Sequence, residues 1–195
     1  LRHSKDLQIQ KSCINACKQF QDLNCAIYLE PFLKSEHLEL RVAAICTLWN
    51  FKKYQARLQP FIQDILINPR ATKSVIELIS ILGLKKQKYR LKEFFKNEQQ
   101  SVKLSAALGL AKMGDSSPLP YLANLLIEKS ADIETQICNY LNTIPKYLQE
   151  DFKNILEQKI SSYIANIIQK TGNNLSQLPA SELLNFTHAS LILNL

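Results

Sequence analysis

Basic side chains are the residues of this sequence best suited to bind a ligand, and they are concentrated in one region. Of 195 residues, 24 are lysine or arginine and 17 are aspartate or glutamate, which gives a formal net charge of +7. Residues 52–103 contain twelve basic and four acidic side chains, so this region alone carries +8. A cluster of cations attracts anionic partners. The candidate binding residues are Lys52, Lys53, Arg57, Lys85, Lys86, Lys88, Tyr89, Arg90, Lys92 and Lys96.

The basic cluster has two interpretations. A solvated helix face explains any single lysine, because exposed lysine is common in folded proteins. The six cations between residues 85 and 96 are offset only by Glu93, and their mutual repulsion lowers helix stability. That cost leaves a functional interpretation open, with nucleic acid or another acidic surface as the partner. Tyr89 lies among these lysines and could stack on a base.

The spacing of the five cysteines does not favour a metal site. Cys13, Cys17 and Cys25 would need a fourth ligand, and the histidines at positions 3, 37 and 188 are scattered. We therefore predict thiols that pack as small apolar side chains on or beside a buried helix face, with no metal and no cofactor. Reduced thiols favour the cytoplasm, or the cytoplasmic side of a membrane, as the compartment.

The sequence contains none of the common catalytic motifs. There is no glycine-rich phosphate loop, no His-Glu-x-x-His and no Gly-x-Ser-x-Gly. Glu150 and Asp151 are adjacent, so on a helix their side chains point apart. No apolar run approaches the roughly 20 residues that span a bilayer. These observations predict a domain without catalytic residues and without a transmembrane segment.

The elements that must position these residues follow a repeat of 31 residues. Its five copies begin at Ile9, Leu40, Ala71, Val102 and Ile133, and apolar or small residues recur at positions 1, 5, 8, 9 and 12 of each copy. This spacing places them on one stripe of a helix, which we call helix A. A fixed period of this length is the sequence mark of stacked repeats.

A second apolar set follows in each copy and predicts a helix B. It includes Tyr28, Leu29, Phe32 and Leu33 in the first copy, Leu58, Phe61, Ile62 and Ile65 in the second, Leu91, Phe94 and Phe95 in the third, Tyr121, Leu122, Leu125 and Leu126 in the fourth, and Phe152, Ile155 and Leu156 in the fifth. Gly114 ends helix A of the fourth copy, a polar residue follows as a cap, and Pro118 lies near the first turn of helix B. Gly83 marks the same corner in the third copy. The predicted fold is therefore all-α.

Residues 102–115, Val-Lys-Leu-Ser-Ala-Ala-Leu-Gly-Leu-Ala-Lys-Met-Gly-Asp, resemble a HEAT repeat of the short, bacterial, phycobilisome-lyase-like kind. Leu40 and Arg41, with Ala44 and Leu48, match the same pattern. The resemblance covers about residues 5–160 and departs from the pattern in other copies, where Ala71-Thr72, Gln10 and Glu134 replace the expected residues. It implies a right-handed α-solenoid with B helices on the concave side, and it implies binding of another macromolecule, usually a protein, without catalysis.

The expected organisation is one array of five repeats followed by a helical cap. The repeats cover about residues 5–35, 36–66, 67–97, 98–128 and 129–160, and the cap covers residues 161–195, with a last helix after Pro179. The first repeat begins without a visible cap, so we expect the chain to be part of a longer protein. Stacking of the second and third repeats would join the basic residues 52–103 into one stripe.

Two functions remain open from the sequence. The first is a scaffold that binds another protein, or another domain of its own chain, through the B helices. The alternative is nucleic-acid or anionic-surface binding by the basic stripe. A HEAT-like DNA glycosylase or a bilin lyase is a remote alternative. A glycosylase would need aromatic residues and a carboxylate at the lesion, and no aspartate lies near Trp49, the only tryptophan.

Overall fold

A computed structural model describes residues 6–20, 23–68, 71–128 and 137–171, and all regular structure in these ranges is helical. This confirms the all-α prediction. The helices are α1 (Leu7–Phe20), α2 (Leu23–Leu29), α3 (Leu38–Leu48), α4 (Lys52–Ile67), α5 (Thr72–Leu82), α6 (Lys88–Phe95), α7 (Gln100–Lys112), α8 (Leu119–Glu128) and α9 (Lys146–Thr171). Short 3-10 helices occupy Glu30–Lys34 and Lys85–Gln87, and residues 137–141 are also helical.

The described helices can be assigned to copies of the 31-residue pattern. In the first four copies helix A corresponds to α1, α3, α5 and α7, and helix B corresponds to α2 with its 3-10 extension, α4, α6 and α8. The chain divides into two compact units, Leu1–Tyr89 (unit 1) and Arg90–Leu195 (unit 2), so the division falls inside α6. Each unit is described separately.

In unit 1 the A helices pack in chain order. Helix α3 contacts α1 on one side and α5 on the other, and it also packs against its own helix B, α4. Because α3 has neighbours on all these sides, eight of its eleven residues are buried. The stripe residues Leu40, Ala44 and Leu48 lie in this core, as the repeat pattern predicts.

Charged residues also connect consecutive A helices of unit 1. Lys11 Nζ on α1 lies 2.9 Å from Glu39 Oε2 on α3. That hydrogen bond is the main cause that raises the pKa of Lys11 and lowers the pKa of Glu39. Within the second repeat, Arg41 Nη1 on α3 lies 2.7 Å from Asp64 Oδ2 on α4. These pairs link helices whose apolar faces already pack, and because Glu39 and Asp64 are exposed, they add little to stability.

The glycine corners have the predicted geometry. Gly83 and Gly114 both adopt left-handed backbone conformations, with φ of 62° and 79°. The amide of the following residue then donates back across the corner, from Leu84 N to Ile79 O at 3.1 Å and from Asp115 N to Leu110 O at 3.0 Å. This six-to-one hydrogen bond is the Schellman motif that ends a helix at glycine. Asp115 Oδ1 in turn accepts from Ser117 N before α8 begins.

The first copy departs from the predicted burial. Its stripe should bury Ile9 and Ala16, but both are exposed, whereas Ile14, outside the stripe, is buried. Helix α1 contacts α3 through the side that carries Ile14, and the structure describes no helix preceding α1. The stripe is therefore an intrinsic pattern of the repeat, and burial of that stripe depends on a neighbour.

Unit 2 has its own apolar core, centred on the packing of α8 against α9 and of α7 against α8. Leu122 and Leu126 of α8 belong to this core together with Phe152 and Leu156 of α9. Helix α9 runs without interruption from Lys146 to Thr171, so the expected boundary between the fifth repeat and the cap at residues 160 and 161 falls inside one helix. The start of the fifth A helix, at Ile133, and the predicted last helix lie outside the described residues.

Candidate functional site

The elements that correspond to helix B line a groove in each unit. In unit 1 the groove lies between the 3-10 helix Glu30–Lys34 and α4, and its volume is about 440 Å³. In unit 2 a groove of about 550 Å³ lies between α8 and α9. Each groove therefore runs between elements assigned to helix B in consecutive copies of the pattern.

The unit 1 groove is built around Tyr54. This side chain is 4% exposed and lies beneath two cations, with Lys53 Nζ 5.1 Å and the Arg57 guanidinium carbon 5.6 Å from the ring centroid. Cations at these distances from an aromatic face are attracted by the ring. Burial is the main cause that raises the pKa of Tyr54, and a hydrogen bond with Glu30 adds to it. Burial and this hydrogen bond therefore favour the neutral form of the phenol.

The rim of this groove is mainly basic. Lys34 and Arg57 line it, and Glu30 is the acidic residue among its lining side chains. Arg57 Nη1 lies 3.5 Å from Glu30 Oε1, and the Arg57 side chain is 68% exposed. An ion pair this exposed contributes little to stability, so Arg57 can exchange Glu30 for another carboxylate at small cost. Pro31 and Phe61 add apolar surface beside these charges.

The unit 2 groove has a different lining. Asn124 faces it from α8, and Gln158 and Asn166 face it from α9, with Lys159 among them. Ile127 and Ile155 supply the apolar part. Amide side chains both donate and accept hydrogen bonds without carrying charge. The lining of this groove is therefore largely uncharged, in contrast to the groove of unit 1.

The residues of the predicted basic stripe are divided between the two units. Unit 1 contains Lys52, Lys53, Arg57, Lys85, Lys86, Lys88 and Tyr89, and unit 2 contains Arg90, Lys92 and Lys96. Lys52 and Lys53 start α4 and are exposed, and Lys85 and Lys86 form an exposed 3-10 turn before α6. The continuity of one stripe across residues 52–103 stays a prediction.

Several of the predicted binding residues already have intramolecular partners. Arg57 contacts Glu30 and Tyr54, and Lys92 Nζ lies 3.3 Å from Asp115 Oδ2. Lys88 and Arg90 are half-buried and also make interactions within the protein. Lys85, Lys86 and Lys96 are exposed, and so is Tyr89, at 59%. Some side chains of the basic cluster therefore make contacts within the protein, and others are exposed to solvent.

In unit 2 a further lysine outside the predicted set contacts aromatic rings. Lys103 Nζ lies 4.9 Å from the ring centroid of Tyr121 and 5.7 Å from that of Phe95. The two rings meet edge to face at 5.4 Å. Burial raises the pKa of Tyr121, and its buried hydroxyl oxygen has no hydrogen-bond partner among the described residues. These contacts fix Lys103 inside the unit.

The cysteines are less buried than predicted, because only Cys46 is fully buried and Cys13, Cys17, Cys25 and Cys138 are half-buried. Burial raises the pKa of the Cys17 thiol, and its hydrogen bond with Cys25 adds to the effect. A raised pKa keeps the thiol protonated and weakens it as a nucleophile or ligand. Among the described residues, no group of three or more histidine, cysteine or acidic side chains is placed to hold a metal ion.

Tyr54, Lys34 and Glu30 were missed as site residues from the sequence. The available signal was local, because Tyr54 follows Lys53 directly and precedes Arg57 by three residues, so all three start the same helix. Phe61 was predicted only as a core residue of helix B, and it is half-buried at the groove. The contribution of Glu30 and Lys34 depends on the fold, which brings the end of the first repeat beside α4.

Comparison with known proteins identifies no similar protein. No family model matches the chain, and no curated protein and no solved structure gives a significant match. Within the described residues, no helix combines the length and the apolar character needed to cross a membrane.

Proposed function

We propose that this protein is a non-catalytic repeat scaffold of the HEAT type that binds another protein through its B-helix surface. The observation that carries the proposal is the groove of unit 1. It combines a fixed aromatic floor at Tyr54, an exchangeable cation at Arg57 and apolar surface at Phe61. A concave site with a few oriented polar groups and an apolar lining is what ligand recognition requires.

The proposed array is a right-handed α-solenoid. Support comes from unit 1, in which α3 packs between α1 and α5 and the ion pair between Lys11 and Glu39 links successive A helices. Repeats of this kind contact mainly their neighbours, and they present one face of every repeat to a partner. The five cysteines are free thiols, which supports the cytoplasm as the proposed compartment.

The partner that fits the unit 1 groove is an acidic segment with an apolar side chain. A carboxylate of that segment would take the place of Glu30 at Arg57, where the fork of the guanidinium allows a two-point hydrogen bond. Lys34 and Lys53 would increase the rate of encounter. The apolar side chain would lie against Pro31 and Phe61, where removal of apolar surface from water adds affinity.

The test uses a fluorescent peptide of alternating glutamate and leucine residues as the probe. We expect Lys34→Glu with Arg57→Glu to weaken binding of this peptide at least tenfold in fluorescence anisotropy. The matched control is Lys18→Glu with Lys153→Glu, which reverses two exposed lysines outside the groove and changes the net charge equally. Equal weakening by both pairs would mean that only the net charge of the protein attracts the peptide, and the groove proposal would then fail.

A second candidate function is binding of nucleic acid near Tyr89. Exposed Tyr89 follows the exposed pair Lys85 and Lys86, and aromatic rings among cations can bind single strands by stacking. We expect Lys85→Glu with Lys86→Glu to reduce the salt concentration at which the protein elutes from a single-stranded DNA column. Phosphate contacts make binding fall steeply with salt. Unchanged elution would exclude this function for these residues.

A further inference from the structure

Two thiols of the first repeat are in contact across neighbouring helices. Cys17 lies in the last turn of α1 and Cys25 lies in α2, and the two side chains form a hydrogen bond. Both cysteines are free and half-buried. A pair of contacting thiols can be oxidised to an internal disulfide, whereas an isolated thiol needs a partner from outside the protein.

The partial exposure of Cys17 is specific to the first copy of the repeat. The residues at its repeat position in the next three copies are Leu48, Ile79 and Leu110, and each is 0% exposed. Cys17 is only half-buried, and in the described part of the chain no helix precedes α1. A reagent in solvent can therefore reach the thiol of Cys17, although the same repeat position is enclosed in the later copies.

The geometry favours Cys25 over Cys13 as the partner of Cys17. Cys13 and Cys17 are four residues apart on α1, and Cβ atoms at this spacing on a helix are about 5–6 Å apart. A disulfide holds the two Cβ atoms about 3.5–4.5 Å apart, so the backbone of α1 would have to distort to join Cys13 to Cys17. Cys25 belongs to a separate helix, and its side chain already contacts Cys17.

We propose that Cys17 and Cys25 are a redox-sensitive modification site, at which a small-molecule disulfide such as oxidised glutathione converts the two thiols into a reversible internal disulfide. Disulfides that form in the cytoplasm are mostly transient and redox-sensing. The proposed bond is of this kind, because a disulfide that is accessible to solvent is readily reduced again by thiols.

The reaction proceeds by two successive exchanges. The thiolate of Cys25 attacks one sulfur atom of the small disulfide, which forms a mixed disulfide and releases one small thiolate. The thiolate of Cys17 then attacks the sulfur atom of Cys25, which forms the internal disulfide and releases the second small thiolate. The released thiolates take up the two protons of the protein thiols, and two electrons pass from the protein to the small disulfide.

The order of the two steps follows from the environment of Cys17. Burial is the main cause that raises the pKa of Cys17, and this weakens its thiol as a nucleophile. We therefore assign Cys17 to the second step, which is intramolecular, because proximity there compensates for the smaller fraction of thiolate.

The disulfide would restrain α2 and the element that follows it. Helix α2 ends at Leu29 and continues directly into the 3-10 helix Glu30–Lys34, which lines the groove of unit 1. A covalent link to α1 removes open conformations of α2, so we expect amide hydrogen exchange in α2 to slow on oxidation. This inference concerns thiol chemistry and does not require the groove to bind a protein.

The test is peptide mapping of the full chain after native incubation with oxidised glutathione. Free thiols are blocked, and trypsin is applied without reductant. Cleavage after Lys18 separates residues 12–18, which include Cys13 and Cys17, from residues 19–34, which include Cys25. We expect these two peptides to be linked in the wild type and separated by dithiothreitol. Cys17→Ser should reduce the linked product at least tenfold, to the background set by Cys25→Ser.

Cys13→Ser is the matched control, because it removes the other thiol of the same peptide and should leave the linked product unchanged. Unchanged circular dichroism of the three serine variants, which we expect, would exclude misfolding as the cause of any loss. Hydrogen exchange followed by mass spectrometry compares α2 in the reduced and oxidised wild type.

Four outcomes would overturn the proposal. A link that is lost in Cys13→Ser and kept in Cys17→Ser would show that Cys13 is the partner of Cys25. Mixed disulfides with glutathione and no linked peptides would show that the two thiols do not close. A link found only in covalent dimers would place the bond between two copies of the chain. Unchanged hydrogen exchange of α2 on oxidation would show that the bond does not restrain this helix.

Discussion

The grooves of unit 1 and unit 2 lie between the same kind of helices and differ in their chemistry. In unit 1, Arg57 and Lys34 surround a buried tyrosine, whereas in unit 2 amide side chains such as Asn124 and Gln158 dominate the polar lining. The apolar side of each B helix is constrained by its core, but the solvent side is not. In the proposed scaffold, the repeat would fix where a partner can bind, and a few exposed residues would select the partner.

The units also differ in how tightly their glycine corners are packed. A Cβ atom built at Gly83 in unit 1 would meet no atom within 4 Å, whereas at Gly114 in unit 2 it would lie 2.7 Å from Tyr147 Oη. Tyr147 Oη in turn donates to Gly114 O at 3.3 Å. The same motif thus serves as an open corner in one unit and as a packing site in the other.

The largest expected effect tests whether residues at the same repeat position contribute similarly to the free energy of unfolding in the two units. Leu29 in unit 1 and Leu122 in unit 2 share one repeat position and are almost fully buried. We expect Leu29→Ala and Leu122→Ala each to lower the free energy of unfolding by about 2–5 kcal/mol, because each leaves a cavity. Urea denaturation measures this. Ile27→Ala is the exposed control, with an expected loss within about 0.5 kcal/mol. A loss as small as that of the control at Leu122 would show that the two leucines do not contribute similarly to stability.

An intermediate effect is expected at the two glycine corners. Alanine in the left-handed conformation costs about 1–2 kcal/mol. Gly83→Ala should therefore lower the free energy of unfolding by about 1–2 kcal/mol. Gly114→Ala should lower the free energy of unfolding by more, because its Cβ atom would also displace Tyr147. In the Tyr147→Phe background, which removes the contacting oxygen, the loss from Gly114→Ala should fall to that of Gly83→Ala. Thermal denaturation of the four variants checks this. Equal losses of stability in the two single alanine variants would show that the contact with Tyr147 does not add to the cost of Gly114→Ala.

The smallest expected effect separates the buried tyrosines of the two units. Tyr54→Phe should lower the free energy of unfolding by about 0.5–1.5 kcal/mol, because the hydroxyl group of Tyr54 forms a hydrogen bond with Glu30. Tyr121→Phe should be neutral or slightly stabilising, because within the described part of the chain its buried hydroxyl has no hydrogen-bond partner. Denaturant titration at neutral pH measures both, and equal losses at Tyr54 and Tyr121 would contradict the assignment of their partners.

The same tyrosines predict the direction of the pH dependence. Burial raises the pKa of both above the ordinary value of 10.0, so the folded state favours the neutral phenol. Their contribution to stability is therefore complete below about pH 10 and is lost as the pH rises through the folded-state pKa. Replacement of either tyrosine by phenylalanine should reduce the loss of stability that the wild type suffers at alkaline pH.

The helices were predictable because their signals are local. Apolar spacing along one helix marked α3, α5 and α7, and the glycine corners at Gly83 and Gly114 ended two of them as expected. The burial of Ile9 was predicted wrongly for a physical reason. Periodicity reports which residues can be buried, and burial itself needs a neighbouring helix, which the described part of unit 1 does not supply for α1.

The candidate site was predicted only in part, for a similar reason. The cations of α4 were visible as a cluster, and Arg57 does lie in a groove. Glu30 and Lys34 belong to the preceding repeat, and nothing in their own sequence context marks them as neighbours of Arg57. The partner of Lys92 was equally hidden, since Asp115 lies in the corner after another helix.

The sequence by itself determined an all-helical chain, the positions of its helix pairs and the two glycine corners, because these depend on contacts between residues close along the chain. Tertiary structure decided which stripes are buried, which lysines already have an acidic partner, and where Tyr54, Glu30 and Arg57 meet. These properties depend on packing between repeats. A 31-residue period specifies which faces can pack together, and the folded chain decides which of them remain exposed.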